Sequence, residues 1–255
     1  ERPWRPTEVI SPAQFRAARS ALIAEPFSDP AARRELLTEL TERWVRELFA
    51  ATSAPDGVAL VAVGGFGRRE LAPGSDVDLV LLHAPRVATA DVADRLWYPI
   101  WDSGVKLDHS VRTPAQARRM ANSDLKVMLG LLDARTIAGD ESLLAGVQES
   151  ALADWRARAA SRLHELRAMR DTRRETFGEL AYLQEPDLKE SIGGLRDVVI
   201  MRAIAASWVT DVPRAQLRAP YRLLLDVRDA LHAVTGRGSD RLVRQEQPSV
   251  AAVLG

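Results

Sequence analysis

Two short apolar runs flank a glycine-rich segment and then an acidic one. Residues 58–63 form an apolar run of strand length, and residues 77–82 form a second. Short apolar runs without polar alternation are typical of strands buried on both faces. A third strand is predicted at 105–111, where polar and apolar residues alternate loosely. We therefore predict a small sheet.

Helical periodicity surrounds these strands. Asp29 followed by Pro30 is predicted to cap a helix with apolar residues every three to four positions. Thr89 is predicted to cap another helix, which Pro99 should kink or end. Further helices are predicted after Thr113-Pro114, from Leu125 through Ile137 up to Gly139, and around 223–234 before Gly236.

The patterns change at about residue 140. Strand-like runs nearly vanish beyond it, and long helical patterns dominate. We predict an N-terminal helical segment at 1–50, an α/β (α+β) domain at 51–140 and an all-helical domain at 141–255. An arginine-rich stretch at 151–175 is typical of a solvated helix face rather than a phosphate site.

Composition excludes several classes of protein. Lys plus Arg equals Asp plus Glu, at 35 each, and this zero formal charge argues against nucleic acid as the main partner. The absence of cysteine excludes disulfides and thiolate metal sites. No apolar run approaches the roughly 20 residues of a membrane helix, and no signal-peptide pattern opens the chain. A cytoplasmic protein without membrane partners is expected.

The acidic segment indicates a metal. Asp76 and Asp78 lie two positions apart at the start of a predicted strand, so their side chains leave the same face. Two carboxylates about 6 Å apart repel by about 2–3 kcal/mol at an effective dielectric of 20. Mg²⁺ relieves that repulsion and prefers carboxylate oxygens completed by phosphate oxygens. The alternative is that Asp76 caps the strand after the Pro73-Gly74 turn.

The glycine-rich segment indicates a phosphate. Gly64 and Gly65 follow the first strand, where backbone N–H groups of a glycine-rich turn can cradle a triphosphate at close approach. Arg68 lies beside the turn as a candidate nucleotide ligand. The glycines by themselves are equally well explained as a simple turn. Combined with the acidic pair, they suggest metal-assisted chemistry on a nucleotide.

Several motifs give the chain a family resemblance. The segments GGFGRREL, APGSDVDL, WDSGVKLDHSVRT, LLDARTIAGD and EPDLKESIGGLRD occur in this order across residues 60–197. They resemble the PII uridylyltransferase/uridylyl-removing family within the polymerase-β-type nucleotidyltransferase superfamily. The whole superfamily shares the Gly-Gly and Asp-x-Asp pattern, whereas EPDLKESIGGLRD is narrower. The resemblance implies a small mixed sheet flanked by helices and followed by a helical domain.

The resemblance also implies site residues. Gly64 and Gly65 match the turn that holds the triphosphate, and Asp76 and Asp78 match two Mg²⁺-binding carboxylates. Ser75 matches a serine beside them that could donate to a phosphate oxygen.

The superfamily uses a third carboxylate on a neighbouring strand, which binds a metal and activates the attacking hydroxyl. Asp108 is the candidate for both roles, with Asp102 and Asp133 as alternatives. His109 is predicted to be a structural residue rather than a catalytic one.

Three further positions stay open. Lys189 and Arg196 lie in the narrow motif and either reach the triphosphate or form ion pairs with neighbouring acids. Arg69 stands where the family more commonly has glycine.

The implied function is nucleotidyl transfer. The family moves UMP from UTP, and in some relatives AMP from ATP, to a tyrosine of a PII nitrogen-signalling protein and releases pyrophosphate. Its second, nucleotide-removing domain contains a His-Asp pair, and no His-Asp dipeptide occurs here. We therefore expect the transferase portion alone. The alternatives are a nucleotidyltransferase for another protein or a small molecule, and a non-catalytic module that binds nucleotide or PII.

Overall fold

The computed structural model describes residues 9–25 and 29–255. Its strands are β1 (Val58–Ala62), β2 (Val77–His83), β3 (Leu107–Arg112) and β4 (Arg135–Gly139). Its helices are α1 (Pro12–Ala24), α2 (Pro30–Ala51), α3 (Gly64–Gly67), α4 (Ala90–Asp102), α5 (Pro114–Ser123), α6 (Leu125–Leu132), α7 (Glu141–Phe177), α8 (Leu195–Ser207), α9 (Arg214–Thr235) and α10 (Gln247–Leu254). Residues 1–8 and 26–28 of the predicted N-terminal segment lie outside the described residues.

The strands form one small mixed sheet, as predicted. Their order is β3-β2-β1-β4. Strand β1 is antiparallel to both β2 and β4, whereas β2 and β3 run parallel. The parallel register sets Asp78 directly opposite Asp108.

Helices cover both faces of the sheet. Val58, Leu60 and Ala62 of β1 face a core shared with α1, α2 and α4. Ala59 and Val61 face a second core shared with α5, α6, α7 and α8. Burial on both faces explains why the β1 run has no polar alternation.

The predicted helix from Leu125 through Ile137 is confirmed as far as Leu132, and the prediction is wrong beyond that residue. Helix α6 ends at Leu132, and residues 135–139 form β4 on the edge of β1. Gly139 has φ +91°, and a Cβ there would lie 2.2 Å from the Val58 carbonyl oxygen. Pairing with a distant strand overrides the helical propensity of the run, and no local pattern signals it.

The local start signals give mixed outcomes. The Asp29 cap is confirmed, since its side chain accepts a hydrogen bond from the Ala31 amide at 2.9 Å. The start after Thr113 is confirmed by a reciprocal capping box with Gln116. Thr89 precedes α4 but makes no side-chain cap, and α4 does not end at Pro99 but continues to Asp102.

Residues 141–255 are not packed apart from the sheet. Helices α7 and α8 share the second core with β1 and β2, and ion pairs join α2 to α9. Arg33 donates to Asp229 from Nε at 2.8 Å and Arg34 pairs with Asp226 at 2.7 Å. The boundaries at 50/51 and 140/141 stay predictions. In the described part of the chain, no helix is both long and apolar enough to cross a membrane.

Replacing Arg33 by Met should destabilise the fold by about 3 kcal/mol, because it leaves the buried Asp229 carboxylate without its guanidinium. The measurement is the free energy of unfolding in urea. Arg43→Met is the control, because Arg43 lies exposed on the same helix and its replacement should change stability by about 0.5 kcal/mol or less. Equal losses in the two variants would contradict the assigned importance of the pair.

Candidate active site

A cavity of about 470 Å³ opens between the sheet, α5, α6, α8 and α9. Every residue predicted from the sequence to bind metal or nucleotide lines it, namely Gly64, Gly65, Arg68, Ser75, Asp76, Asp78 and Asp108. Segments separated by more than 40 positions thus meet in one place.

The carboxylates meet because β2 and β3 are parallel neighbours. Asp78 and Asp108 occupy directly paired positions, and Asp76 immediately precedes β2. Burial, together with the nearby Asp108 and Asp76 carboxylates, raises the pKa of Asp78 to about 6, while Lys189 opposes the rise. The site therefore concentrates negative charge in a partly desolvated cleft.

The two alternatives for the third carboxylate lie elsewhere. Asp133 follows α6, with its Oδ2 3.5 Å from Arg68 Nη1 and 3.8 Å from Arg202 Nη1. Asp102 is the last residue of α4. Neither lines the cavity. The geometry thus favours Asp108, whose catalytic role stays a prediction.

The donor set fits Mg²⁺ in the presence of a nucleotide. Among residues 9–25 and 29–255, no three His, Cys, Asp or Glu side chains are close enough together to form a complete metal site. Mg²⁺ usually takes one or two carboxylates and completes its shell with water and phosphate oxygens. Asp76, Asp78 and Asp108 line this cavity and supply carboxylate oxygens of the kind that Mg²⁺ prefers.

The glycine-rich segment is the single helical turn α3, directly after β1. Gly64 has φ +58°, and a Cβ there would lie 2.4 Å from Asp78 Oδ2. A Cβ on Gly67 would lie 2.6 Å from the Asp133 carbonyl oxygen. At Gly65 the nearest atom would be the Glu70 carbonyl oxygen at 3.9 Å. Packing thus explains Gly64 and Gly67 but not Gly65.

Arg68 links the turn to α9. Its Nε donates to Glu70 Oε2 at 2.7 Å, and the Tyr221 hydroxyl donates to the same carboxylate at 2.7 Å. Burial disfavours the cation, yet Glu70 holds the pKa of Arg68 above its usual value. Burial and Glu70 both raise the pKa of Tyr221, which keeps its hydroxyl a donor. Arg68 lines the cavity, but its guanidinium already pairs with carboxylates of the chain. That Arg68 binds the nucleotide stays a prediction.

Arg69 adopts the left-handed backbone conformation, with φ 61°. A glycine, which the resemblance leads one to expect at this position, would adopt it without strain. The arginine pairs instead with Glu35 and, at 3.0 Å, with Glu42. These ion pairs join the glycine turn to α2.

Ser75 is held in a tight turn. Its Oγ accepts from the Ala72 amide at 2.9 Å, and its own amide donates to the Ala72 carbonyl at 2.9 Å. Among the described residues its hydroxyl hydrogen has no acceptor, so it can donate into the cavity that Ser75 lines.

The two cations of the narrow motif both line the cavity but differ in their partners. Arg196 pairs with Glu190 at 2.7 Å. Lys189 lines the cavity, forms no ion pair within the described residues and lowers the pKa of Asp78. Of the outcomes left open by the sequence, Arg196 takes the ion pair and Lys189 faces the acidic cluster.

Sequence reasoning missed several lining residues. Lys126 and Arg112 add positive charge, and Tyr221, Arg228 and Asp240 line the side formed by α9 and the loop after it. The signal for Lys126 was a single cation at the start of an otherwise apolar helix. No local pattern marked the others.

His109 lies against α4. Its ring centroid is 5.1 Å from that of Trp97 and 5.3 Å from that of Trp101. His109 also lines the cavity and is exposed, so its structural role stays a prediction.

Comparisons with known proteins identify the family. The family model described as GlnD PII-uridylyltransferase matches residues 161–255. A Streptomyces coelicolor protein named bifunctional uridylyltransferase/uridylyl-removing enzyme is 57% identical over 251 residues, which is 97% of this chain. The chain belongs to this family.

More distant relatives agree. Proteins of the same name are 44% identical over 89% of this chain in Mycobacterium tuberculosis and 38% identical over 86% in Corynebacterium glutamicum. The chain spans only 30% of the Streptomyces and Mycobacterium proteins and 31% of the Corynebacterium protein. Within the family, this chain therefore represents a part of the longer relatives.

Gly64→Ala should destabilise the protein by about 2 kcal/mol or more, because the new Cβ meets Asp78 and strains a positive φ. Gly65→Ala is the matched control, because its Cβ meets only ordinary contacts. The measurement is the free energy of unfolding without nucleotide. A destabilisation of Gly65→Ala as large as that of Gly64→Ala would contradict the described packing.

Asp78→Asn should stabilise the protein in chelator by about 1–2 kcal/mol above pH 6. The pKa of Asp78 is about 6 in the fold, against about 4 when unfolded. Wild-type stability therefore falls between pH 4 and 6 as the carboxylate ionises in the unfolded state first. The difference in free energy of unfolding between Asp78→Asn and wild type should therefore increase from pH 4 to pH 6. Urea unfolding at each pH measures it. A loss of stability at pH 8 would indicate a structural role for Asp78.

Proposed function

We propose that this chain catalyses nucleotidyl transfer, moving UMP from UTP to a tyrosine hydroxyl of a PII signalling protein. The observation that carries the proposal is the shared cavity of Asp76, Asp78 and Asp108, with Gly65 and Lys189 on its wall. The relatives' names support uridylyl transfer over adenylyl transfer. Transfer of AMP from ATP is the variant that the experiment below separates.

Asp76, Asp78 and Asp108 would hold Mg²⁺. When bound, Mg²⁺ supplies positive charge to the carboxylates and to the phosphates of the nucleotide. With a pKa of about 6, Asp78 is ionised at neutral pH and available as a ligand. The proposal thus accounts for an acidic cluster that would be unfavourable by itself.

Four residues of the chain are suited to the triphosphate. Lys189 and Lys126 line the cavity and form no ion pairs within the described residues. Ser75 presents an uncommitted hydroxyl hydrogen from its turn. Gly65 leaves its side-chain space open toward the cavity. A volume of about 470 Å³ lies within the range of small-molecule and cofactor sites.

The transfer would form one bond at the α-phosphorus of the nucleotide and break another. The acceptor oxygen forms a bond to the α-phosphorus, and the bond from that phosphorus to the bridging oxygen of the β-phosphate breaks. Pyrophosphate leaves with the electron pair. Asp108, exposed on the edge strand β3, would accept the proton of the attacking hydroxyl.

Residues 141–255 would serve as the helical domain that closes this cavity. The motif at 185–197 and helix α9 supply its far wall. Arg173 of α7 holds that motif by pairing with Asp197 at 2.6 Å and donating to the Glu190 carbonyl at 2.9 Å. The arginine-rich stretch therefore contributes a buried anchor as well as solvated positions.

Label transfer tests the proposal. The chain is incubated with a PII protein, Mg²⁺ and UTP or ATP labelled at the α-phosphate. We expect label on PII from UTP, its complete loss in PII whose acceptor tyrosine is Phe, and a loss of about 100-fold or more in Asp78→Asn. Label from ATP alone would assign adenylyl transfer. No label from either nucleotide would contradict the proposal for this chain.

Gly65→Ala and Gly146→Ala distinguish a nucleotide-binding glycine from a permissive one, because Gly146 lies on α7 and does not line the cavity. Neither added Cβ meets a close atom of the protein, so both variants should fold normally. Only Gly65→Ala should raise KM for the nucleotide, by about tenfold, because it occupies the space proposed for the triphosphate. Equal KM values for wild type and Gly65→Ala would remove Gly65 from the nucleotide site.

A further inference from the structure

The loop that carries Ser75 and Asp76 is packed on a distant loop. A Cβ on Gly74 would lie 2.5 Å from Gly238 Cα, and a Cβ on Gly238 would lie 2.3 Å from the Gly74 carbonyl oxygen. The two backbones therefore touch directly. Gly238 follows α9, so the end of that helix sets the position of the residues just before β2.

A buried histidine joins these two loops. The Gly74 amide donates to His232 Nδ1 at 3.2 Å, and His232 Nε2 lies 3.0 Å from Asp240 Oδ1. Because Nδ1 accepts, the proton of the neutral ring lies on Nε2, which donates to Asp240. His232 is 1% exposed. Both of its nitrogens are thus occupied by structural partners.

Asp240 fixes the orientation of this ring. Arg228 Nε donates to its Oδ1 at 2.7 Å. Burial opposes the charged form, but the hydrogen bond from His232 and the charge of Arg228 hold the pKa of Asp240 well below its usual range. Asp229 also lies near His232 and pairs with Arg33. Asp240 is therefore an ionised, anchored acceptor behind the histidine.

The same loop also holds the opposite wall of the cavity. The Asp240 carbonyl accepts from the Leu188 amide at 2.8 Å, and the Pro186 carbonyl accepts from the Leu242 amide at 2.9 Å. Lys189 is the next residue after Leu188 in the sequence. The segment after α9 therefore contacts the neighbours of both Asp76 and Lys189.

We propose that His232, oriented by Asp240, is a positioning residue that holds the Gly74 amide and thereby places Ser75 and Asp76 for metal and phosphate. The inference rests on the proposed nucleotidyl transfer. His232 does not line the cavity, so it acts through Gly74 and not on the substrate.

Two substitutions of His232 separate its contacts. In His232→Asn the amide oxygen can take the place of Nδ1 and accept from Gly74. In His232→Gln the amide can take the place of Nε2 and reach Asp240, while the acceptor for Gly74 is lost. Binding of Mn²⁺ in the presence of a non-hydrolysable UTP analogue is measured together with the Mg²⁺ dependence of label transfer and the thermal unfolding midpoint.

We expect His232→Gln to weaken Mn²⁺ binding and to raise the Mg²⁺ requirement by about tenfold. His232→Asn should be affected several-fold less. Equal effects in the two folded variants, or Mn²⁺ binding in His232→Gln equal to wild type, would overturn the inference. His164→Gln, the same change at an exposed position of α7, is the control and should alter neither quantity.

If both His232 variants unfold, Mn²⁺ binding is measured in two variants of Asp240 instead. Asp240→Asn keeps an oxygen for His232 Nε2–H, and Asp240→Ala removes it. Weaker Mn²⁺ binding in the Ala variant than in the Asn variant supports the inference, and equal binding overturns it. A wild-type chain that transfers no label contradicts the proposed function, whereas an active wild type with unchanged Mn²⁺ binding in His232→Gln contradicts only the positioning role.

Discussion

The crowding of carboxylates beside β2 is the constraint on which this site depends. Asp78 lies opposite Asp108 and two residues from Asp76, in a cleft where burial already disfavours its charge. Such a cluster persists only where positive charge is supplied. Lys189 provides part of it within the chain, and a divalent cation with a nucleotide would provide the rest. Close packing beside this cluster leaves no space for a side chain at Gly64.

Helix α9 connects the parts that must stay in register around that cluster. Tyr221 binds the carboxylate of Glu70 beside the glycine turn, Asp229 pairs with Arg33 of α2, and His232 accepts from the Gly74 amide. Each contact is largely shielded from water, where hydrogen bonds and ion pairs are stronger and their loss costs more. A helix far along the sequence thus bears on the geometry of the cleft formed by the first half of the chain.

Prediction from sequence succeeded where the determining interactions are local. The Asp29 cap and the β1 and β2 runs depend on neighbouring residues, and they appear near their predicted positions. Prediction failed where a distant partner decides the outcome. Residues 135–139 continue an apolar helical run, yet they pair with β1. Arg173 sits in a stretch resembling a solvated helix face, yet it is 6% exposed and binds Asp197.

The sequence by itself determined the chemistry available to this protein: a glycine turn, an Asp-x-Asp pair and a narrow motif that together indicate a nucleotidyltransferase. Only the tertiary structure decided which acid faces Asp78, which cation of the narrow motif has no ion pair among the described residues, and which glycine of the turn has room for a Cβ. The physical reason is the separation along the chain of the residues that interact. Turn formation and side-chain alternation are fixed within a few residues, whereas charge pairing and free volume in a cleft depend on segments brought together only by packing.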